Sequence, residues 1–137
     1  MPAKDRYHDA VVRALVKDGW TIAAERMYIR LAGRRLWIDI RAVKASAQLA
    51  IVVEVKGFEN MPSPVDYLAD VVGKYVLYLS ALDAVDISAP LYLAVPSAAY
   101  QGFLSEGIAQ RTMRRVDVKL IVFDPTEEEI TQWIPQV

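Results

Sequence analysis

The spacing of the apolar residues changes from a helical to an extended pattern along the first half of the chain. Near the N-terminus the inward-facing positions recur every three or four residues, since His8, Val11, Val12 and Leu15 would share one face of a helix. Gly19 ends this pattern, and glycine commonly follows the last turn of a helix. The sequence therefore predicts a first helix that buries one face.

Alternating positions then predict an antiparallel run of strands. Residues 20–31 suit one or two strands, and Gly33 turns the chain into RRLWIDIRA, residues 34–42. After a polar loop at residues 44–48, LAIVVEVK forms a further strand that Gly57 ends. In the middle strand we expect Leu36, Ile38 and Ile40 on one face and Trp37, Asp39 and Arg41 on the other.

The second half of the chain alternates helical and fully apolar segments. Residues 65–82 predict a long helix, residues 91–95 a buried strand, residues 97–115 an interrupted helix and residues 118–124 another strand. The last segment, residues 127–134, suits either a strand or a short helix. We therefore predict one domain, residues 1–137, of the α/β (α+β) class: a mixed sheet flanked by helices in the order α-β-β-β-α-β-α-β.

Composition narrows the cellular setting and the cofactors. The chain has 54% hydrophobic residues, but no apolar run reaches the roughly 18–20 residues that a membrane span requires. Its N-terminus is charged from Lys4 onward, which is unlike a signal peptide. With no cysteine, disulfides and thiolate metal sites are excluded. We expect a cytoplasmic protein that does not enter the membrane.

The net charge argues against nucleic-acid binding by the chain as a whole, but it does not exclude binding by local basic patches. The formal net charge is −1, so the whole chain does not attract a polyanion. The basic residues nevertheless fall into two groups. These groups are Arg26, Arg30, Arg34 and Arg35, and Arg111, Arg114 and Arg115. Each is either a solvated, salt-bridged surface or a patch that guides a phosphate backbone.

Two charges interrupt the apolar strand IVVEVKGF. Glu54 and Lys56 are two residues apart and so project from the same face. If this strand pairs with residues 34–42 around a turn centred near residues 45–46, Asp39 lies opposite Glu54 or one diagonal step away. Two close carboxylates need a counter-charge, which a hard divalent cation supplies. The alternative is a set of cross-strand salt bridges in which Arg41 and Lys56 answer the carboxylates.

The same residues carry a resemblance to known families. Asp39 with Glu54-Val55-Lys56 resembles the PD-(D/E)xK nuclease motif, which lies on a restriction-endonuclease-like fold. Nearly the whole chain resembles the XisH family, the fdxN element excision controlling factors. The matching stretches are MPAKDRYHDAVVRALVKDGWTI, GRRLWIDI, VVEVKGF, SPVDYLADVVGKYVLYLSAL, LYLAVP and VKLIVFDPTEEEITQWI. This resemblance implies a role in programmed DNA rearrangement, beside an XisI-type partner and a site-specific recombinase.

The nuclease resemblance also implies roles for individual residues. Asp39, Glu54 and the Val55 carbonyl would be ligands of Mg²⁺, with Mn²⁺ as a substitute. Lys56 would be the catalytic lysine, because an ammonium near the scissile phosphate stabilises the charge that develops there. Ile38 precedes the aspartate where the motif has proline.

Two further residues are candidates for the same site. Nucleases of this class often add an acidic or histidine group from the first helix, where His8 lies near Asp5 and Asp9. A lone inward histidine also suits a core position. Lys74 stands where the family usually has glutamine, on the helix that borders the active site in related nucleases. We expect Tyr75 and Tyr78 on that helix to pack in the core.

Three functions therefore remain open. The first is an accessory recombination factor that binds DNA and its partner proteins through a nuclease-like site. The second is an active Mg²⁺-dependent DNA endonuclease that uses Asp39, Glu54 and Lys56, and the third is an interaction module whose charged face has lost any role. The oligomeric state also stays open, with a homodimer as one alternative.

Overall fold

One six-stranded sheet organises the protein, and its strands lie in space in their chain order. The computed structural model describes residues 6–135; Asp5 lies outside them. The helices are α1 (His8–Lys17), α2 (Pro64–Ala84), α3 (Ser97–Gln101) and α4 (Gly107–Val116), with short 3₁₀ turns at Ala45–Ala47 and Phe103–Ser105. The strands are β1 (Thr21–Leu31), β2 (Arg34–Lys44), β3 (Leu49–Val55), β4 (Leu91–Pro96), β5 (Lys119–Asp124) and β6 (Glu129–Ile134).

The sheet is mixed, as the change from alternating to fully apolar strands predicted. Strands β1, β2 and β3 form an antiparallel meander, β3, β4 and β5 are parallel, and β6 returns antiparallel to β5. Helix α1 packs on one face, and α2 and α4 contribute to the core on the other. This architecture confirms the predicted class and is consistent with a restriction-endonuclease-like fold. The last segment is a strand, and residues 21–31 form a single strand.

Strand β3 is buried on both faces, which explains its nearly continuous apolar sequence. Ile51, Val53 and Val55 belong to the core cluster on the α1 side. Val52 belongs to the cluster on the α2 side. Glu54, the next residue of this second series, therefore projects toward the α2 side of the sheet.

Strands β1 and β2 extend beyond the rest of the sheet. The β2–β3 pairing covers only Ile40 to Lys44 of β2, whereas β1 and β2 stay paired as far as Leu31 and Arg34. The two strands join through Ala32 and Gly33, both at positive φ, as a type I′ hairpin turn requires. We call this projecting part, residues 27–38, the outer ribbon.

The outer ribbon twists as it leaves the sheet, so the predicted single apolar face of β2 is wrong. Ile40 belongs to the cluster on the α1 side, but Ile38 and Leu36 pack in the cluster on the α2 side. A two-stranded ribbon twists more strongly than a strand held between two neighbours. The described residues include no helix with the length and apolarity of a membrane span.

Candidate metal centre

Two carboxylates lie at the point where β2 separates from β3. The backbone ladder between these strands ends at the pair Ile40 and Val53. Beyond it, the Asp39 N–H donates to Glu54 Oε1 at 3.2 Å, and the Val55 N–H donates to Asp39 Oδ2 at 2.7 Å. Side-chain oxygens thus replace the ladder bonds, and the structure brings Asp39 and Glu54 together.

The Val55 carbonyl faces the same gap. In an antiparallel strand, the N–H and C=O of one residue point toward the same neighbouring strand. Because the Val55 N–H reaches the Asp39 carboxylate, its carbonyl is also directed toward the departing end of β2. On its other side the strand stays in the sheet, since the Lys56 N–H donates to the Ala94 carbonyl at 3.0 Å. Two carboxyl groups and a carbonyl therefore converge at this end of β3.

Burial gives the carboxyl pair its electrostatic character. Glu54 is only 7% exposed, and this burial, reinforced by the negative charge of Asp39, raises the pKa of Glu54 to about 8. Lys56 acts in the opposite direction, with its Nζ 3.9 Å from Glu54 Oε2. A side-chain hydrogen bond between the Glu54 and Asp39 carboxyl groups adds to this rise, because it favours the protonated form of Glu54.

Lys56 connects this buried pair to solvent. Its side chain is 23% exposed, whereas that of Glu54 is 9% exposed. The ammonium group therefore lies between the carboxylates and the surface, where an anionic ligand could reach it. Of the two side chains, only that of Lys56 reaches solvent, whereas the Glu54 carboxyl group is buried.

Helix α2 adds a group to the site that the sequence pattern assigned to the core. Tyr78 lies beside the carboxyl pair, since burial and then the negative charges of Glu54 and Asp39 raise the pKa of Tyr78 to about 12. Tyr75 packs in the core as expected and donates to the Leu91 carbonyl at 2.8 Å. Helical periodicity makes both tyrosines look alike, so only the packing of α2 on β3 distinguishes them.

Lys74 and His8 are not brought into direct contact with the carboxyl pair. Lys74 is exposed on α2, one turn before Tyr78 and on the same helical face, with no hydrogen bond or ion pair to the described residues. His8 is buried under α1, where its Nε2 lies 2.7 Å from Glu25 Oε1. Glu25 pairs with Ile40, whose side chain packs on the α1 side, so His8 lies on the opposite face of the sheet from Glu54.

His8 instead belongs to a second group of ligand atoms. One atom each from His8, Asp9 and Glu25 lies within 4.8 Å of the others. The sequence pattern did not single out Glu25, because it occupies the irregular segment of β1 around residue 26, which has a positive φ. The expected cluster on one sheet face therefore consists of Asp39, Glu54 and Lys56 without His8.

The carboxyl pair fits a hard divalent cation. Its Asp39 and Glu54 oxygens and the Val55 carbonyl are ligands of the kind that Mg²⁺ and Mn²⁺ prefer. The raised pKa of Glu54 shows that the buried pair is not stable with two negative charges and no cation or proton. A metal ion would take the place of that proton.

A mixed six-stranded sheet with helices on both faces defines an α/β protein and is consistent with the restriction-endonuclease-like fold. Within this class the chain belongs to the XisH family: the family model described as XisH protein matches residues 1–131.

Two solved structures are similar over almost their whole length. A crystal structure of an XisH family protein from Nostoc punctiforme PCC 73102 shares 32% identity and a TM-score of 0.86, covering 94% of this chain and 98% of that one. A crystal structure of a fdxN element excision controlling factor protein from Anabaena variabilis shares 34% identity and a TM-score of 0.88, covering 96% and 99%. A comparison with curated proteins gave no match.

Proposed function

We propose that this protein is an excision controlling factor that acts on DNA in the cytoplasm, together with a site-specific recombinase and an XisI-type partner. Family membership and the similarity to the Anabaena variabilis factor support this role. The observation that links this role to a specific site is the buried Asp39–Glu54 pair with Lys56 beside it. A buried pair of this kind is costly to a fold, so we assign it a functional rather than a structural role.

Each residue has a distinct part in the proposed site. Asp39, Glu54 and the Val55 carbonyl would hold Mg²⁺, which would neutralise the two carboxylates and attract a DNA phosphate. Lys56, at the exposed side of the pair, would contact the same phosphate. Tyr78, next to the pair on α2, would help to orient the Glu54 carboxyl group through its hydroxyl.

The test measures excision in cells that carry the recombinase, the XisI-type protein and an excisable element, but lack this chain. Wild type restores excision, and Asp39→Asn does not. Glu25→Gln on the opposite face of the sheet is the matched control and restores excision. Full excision with Asp39→Asn at normal protein levels contradicts the proposed site, and excision in the absence of the chain contradicts the proposed role.

A second candidate is an active Mg²⁺-dependent DNA endonuclease. It is favoured by one observation: Asp39, Glu54 and Lys56 all lie at one end of β3, as cleavage of a phosphodiester would require. Purified wild type would then cut supercoiled plasmid with Mg²⁺ or Mn²⁺ but not with a chelator, and Lys56→Ala would not cut. If wild type cuts no DNA while excision in cells still depends on Lys56, the accessory role stands and the nuclease candidate fails.

A further inference from the structure

The outer ribbon carries a basic and aromatic surface that the fold does not use. Arg30 and Arg35 are directly paired across β1 and β2, and both are exposed, as is Arg34 beside the turn. Among the described residues, the side chains of these three arginines have no ion pair or hydrogen bond. Like charges directly opposite each other in a sheet are destabilising. This placement therefore indicates an anionic partner from outside the chain.

An aromatic pair lies next to the arginines on the same side of the ribbon. Tyr28 and Trp37 are paired across the strands, with ring centroids 5.1 Å apart and planes tilted by 43°. Alternation places Tyr28 with Arg30 and Trp37 with Arg35. Tyr28 is 43% exposed, so part of its ring is accessible to a ligand. The ribbon thus offers a flat aromatic surface beside two guanidinium groups.

The same strand leads from this surface to the candidate metal centre. Arg35, Trp37 and Asp39 occupy alternate positions of β2, which places Trp37 about 7 Å and Arg35 about 14 Å from Asp39 along the strand. On the other face, apolar residues of the ribbon such as Ile29 and Ile38 pack in the core, which holds the ribbon in place.

We propose that the outer ribbon binds a single-stranded or locally unpaired stretch of DNA, with Arg30, Arg34 and Arg35 on the phosphates and an unstacked base on Tyr28. This inference rests on the proposed function, because it supplies the DNA-binding surface for that site. An exposed aromatic ring beside positive charge is typical of single-strand binding, where stacking tolerates any base. In a duplex the bases are already stacked on each other, and Tyr28 would have no free base face to contact.

Binding is measured by fluorescence anisotropy with a short labelled single-stranded oligonucleotide and with its duplex, in a chelator so that no metal contributes. Wild type binds the single strand more tightly than the duplex. The double variant Arg30→Gln/Arg35→Gln binds it at least tenfold more weakly, and its slope of log affinity against log salt falls by about 1.4, since each phosphate contact contributes about 0.7. Arg114→Gln/Arg115→Gln removes the same charge from exposed positions of α4 and is the matched control, with binding unchanged.

The aromatic contribution has a different signature. Tyr28→Leu weakens single-strand binding by about tenfold without changing the salt slope, because stacking releases no counterions, and Tyr28→Phe binds like wild type. Equal binding of duplex and single strand, or no effect of Tyr28→Leu, overturns the unpaired-strand inference. An equal loss of single-strand binding in the α4 control, or tighter binding of an RNA of the same sequence, also overturns the inference. Thermal melting of each variant excludes unfolding as the cause.

The outcome separates this inference from the proposed function. If the ribbon variants bind DNA like wild type, or if wild type binds no oligonucleotide at all, the ribbon inference fails. The proposed function still stands in either case if excision in cells depends on Asp39.

Discussion

Two buried ionisable side chains on opposite faces of the sheet have contrasting surroundings. His8 and Glu54 are the polar residues classed as buried in the described part of the chain, at 1% and 7% exposure. His8 has a single carboxylate partner, Glu25, whose own side chain is 49% exposed to water. Glu54 instead has a second carboxyl group, a lysine and a tyrosine around it.

The difference shows how a buried ionisable side chain depends on whether its neighbour carries the same or the opposite charge. The His8 imidazole meets an opposite charge at Nε2, although its buried Nδ1 has no hydrogen-bond partner among the described residues, and the solvent around Glu25 screens the charge of that carboxylate. Two carboxyl groups cannot both ionise at close range, so the pair at Asp39 and Glu54 must hold a proton or a cation. The His8 side therefore resembles a structural contact, whereas the Glu54 side is arranged for exchange of a cation.

The largest expected effect comes from removing the charge beside the carboxyl pair. Lys56→Ala should abolish excision in cells, and if the protein cuts DNA, the rate should fall by about 10²–10³-fold, as for loss of one group that stabilises a developing charge. The cost to stability should be under about 1 kcal/mol, because the ion pair is long and partly exposed. Lys74→Ala is the comparison, and we expect a smaller loss from this exposed lysine. Normal excision with Lys56→Ala would contradict a role for the ammonium group.

The next effect is a pH dependence of stability in the absence of metal. The pKa of Glu54 is raised to about 8 in the folded state from 4.5, so between these values the folded protein holds a proton that the unfolded chain has lost. The free energy of unfolding therefore falls as pH rises through this window, by roughly 2–4 kcal/mol, and is highest below it. Urea unfolding of wild type and Glu54→Gln across this range measures the difference. Glu54→Gln should lack this component, and parallel curves for the two proteins would contradict the shifted pKa.

A divalent cation should reverse that loss. Near pH 8, added Mn²⁺ or Mg²⁺ should raise the melting temperature of wild type, with a stabilisation of about 1–3 kcal/mol at concentrations well above the dissociation constant. The effect should weaken at lower pH, where Glu54 keeps its proton. Asp39→Asn and Glu54→Gln should lose it, and His8→Asn should retain it. Loss only in His8→Asn would instead assign the metal to His8, Asp9 and Glu25.

The smallest effect is expected on the α1 side. Glu25→Gln keeps a hydrogen-bonding group near His8 Nε2 and removes a charge that is half exposed, so chemical unfolding should show a loss below about 1 kcal/mol. Excision should be unchanged. If Glu25→Gln lost as much excision as Asp39→Asn, the two faces of the sheet would not differ in function.

Much of the fold could be predicted from local pattern, and the site only in part. The alternation in residues 34–42 and 49–56, with a short loop between them, was enough to expect Asp39 near Glu54, because register follows from the turn and the buried face. Tyr78 was expected in the core, because its spacing on α2 is that of any inward position. Tyr78 does pack against the core cluster on the α2 side, but its spacing could not show that it, unlike Tyr75, also lies beside Glu54.

The sequence by itself determined most of the helices and strands and the mixed class of the sheet, since hydrophobic periodicity and turn residues act over a few neighbouring positions. Only the tertiary structure decided that His8 pairs with Glu25 on the far face, that Tyr78 reaches Glu54, and that the outer ribbon twists away from β3. Those outcomes depend on how elements distant in sequence pack against each other. Burial then sets the protonation of Glu54, because the cost of its charge depends on the surrounding protein and not on the residues beside it in the chain.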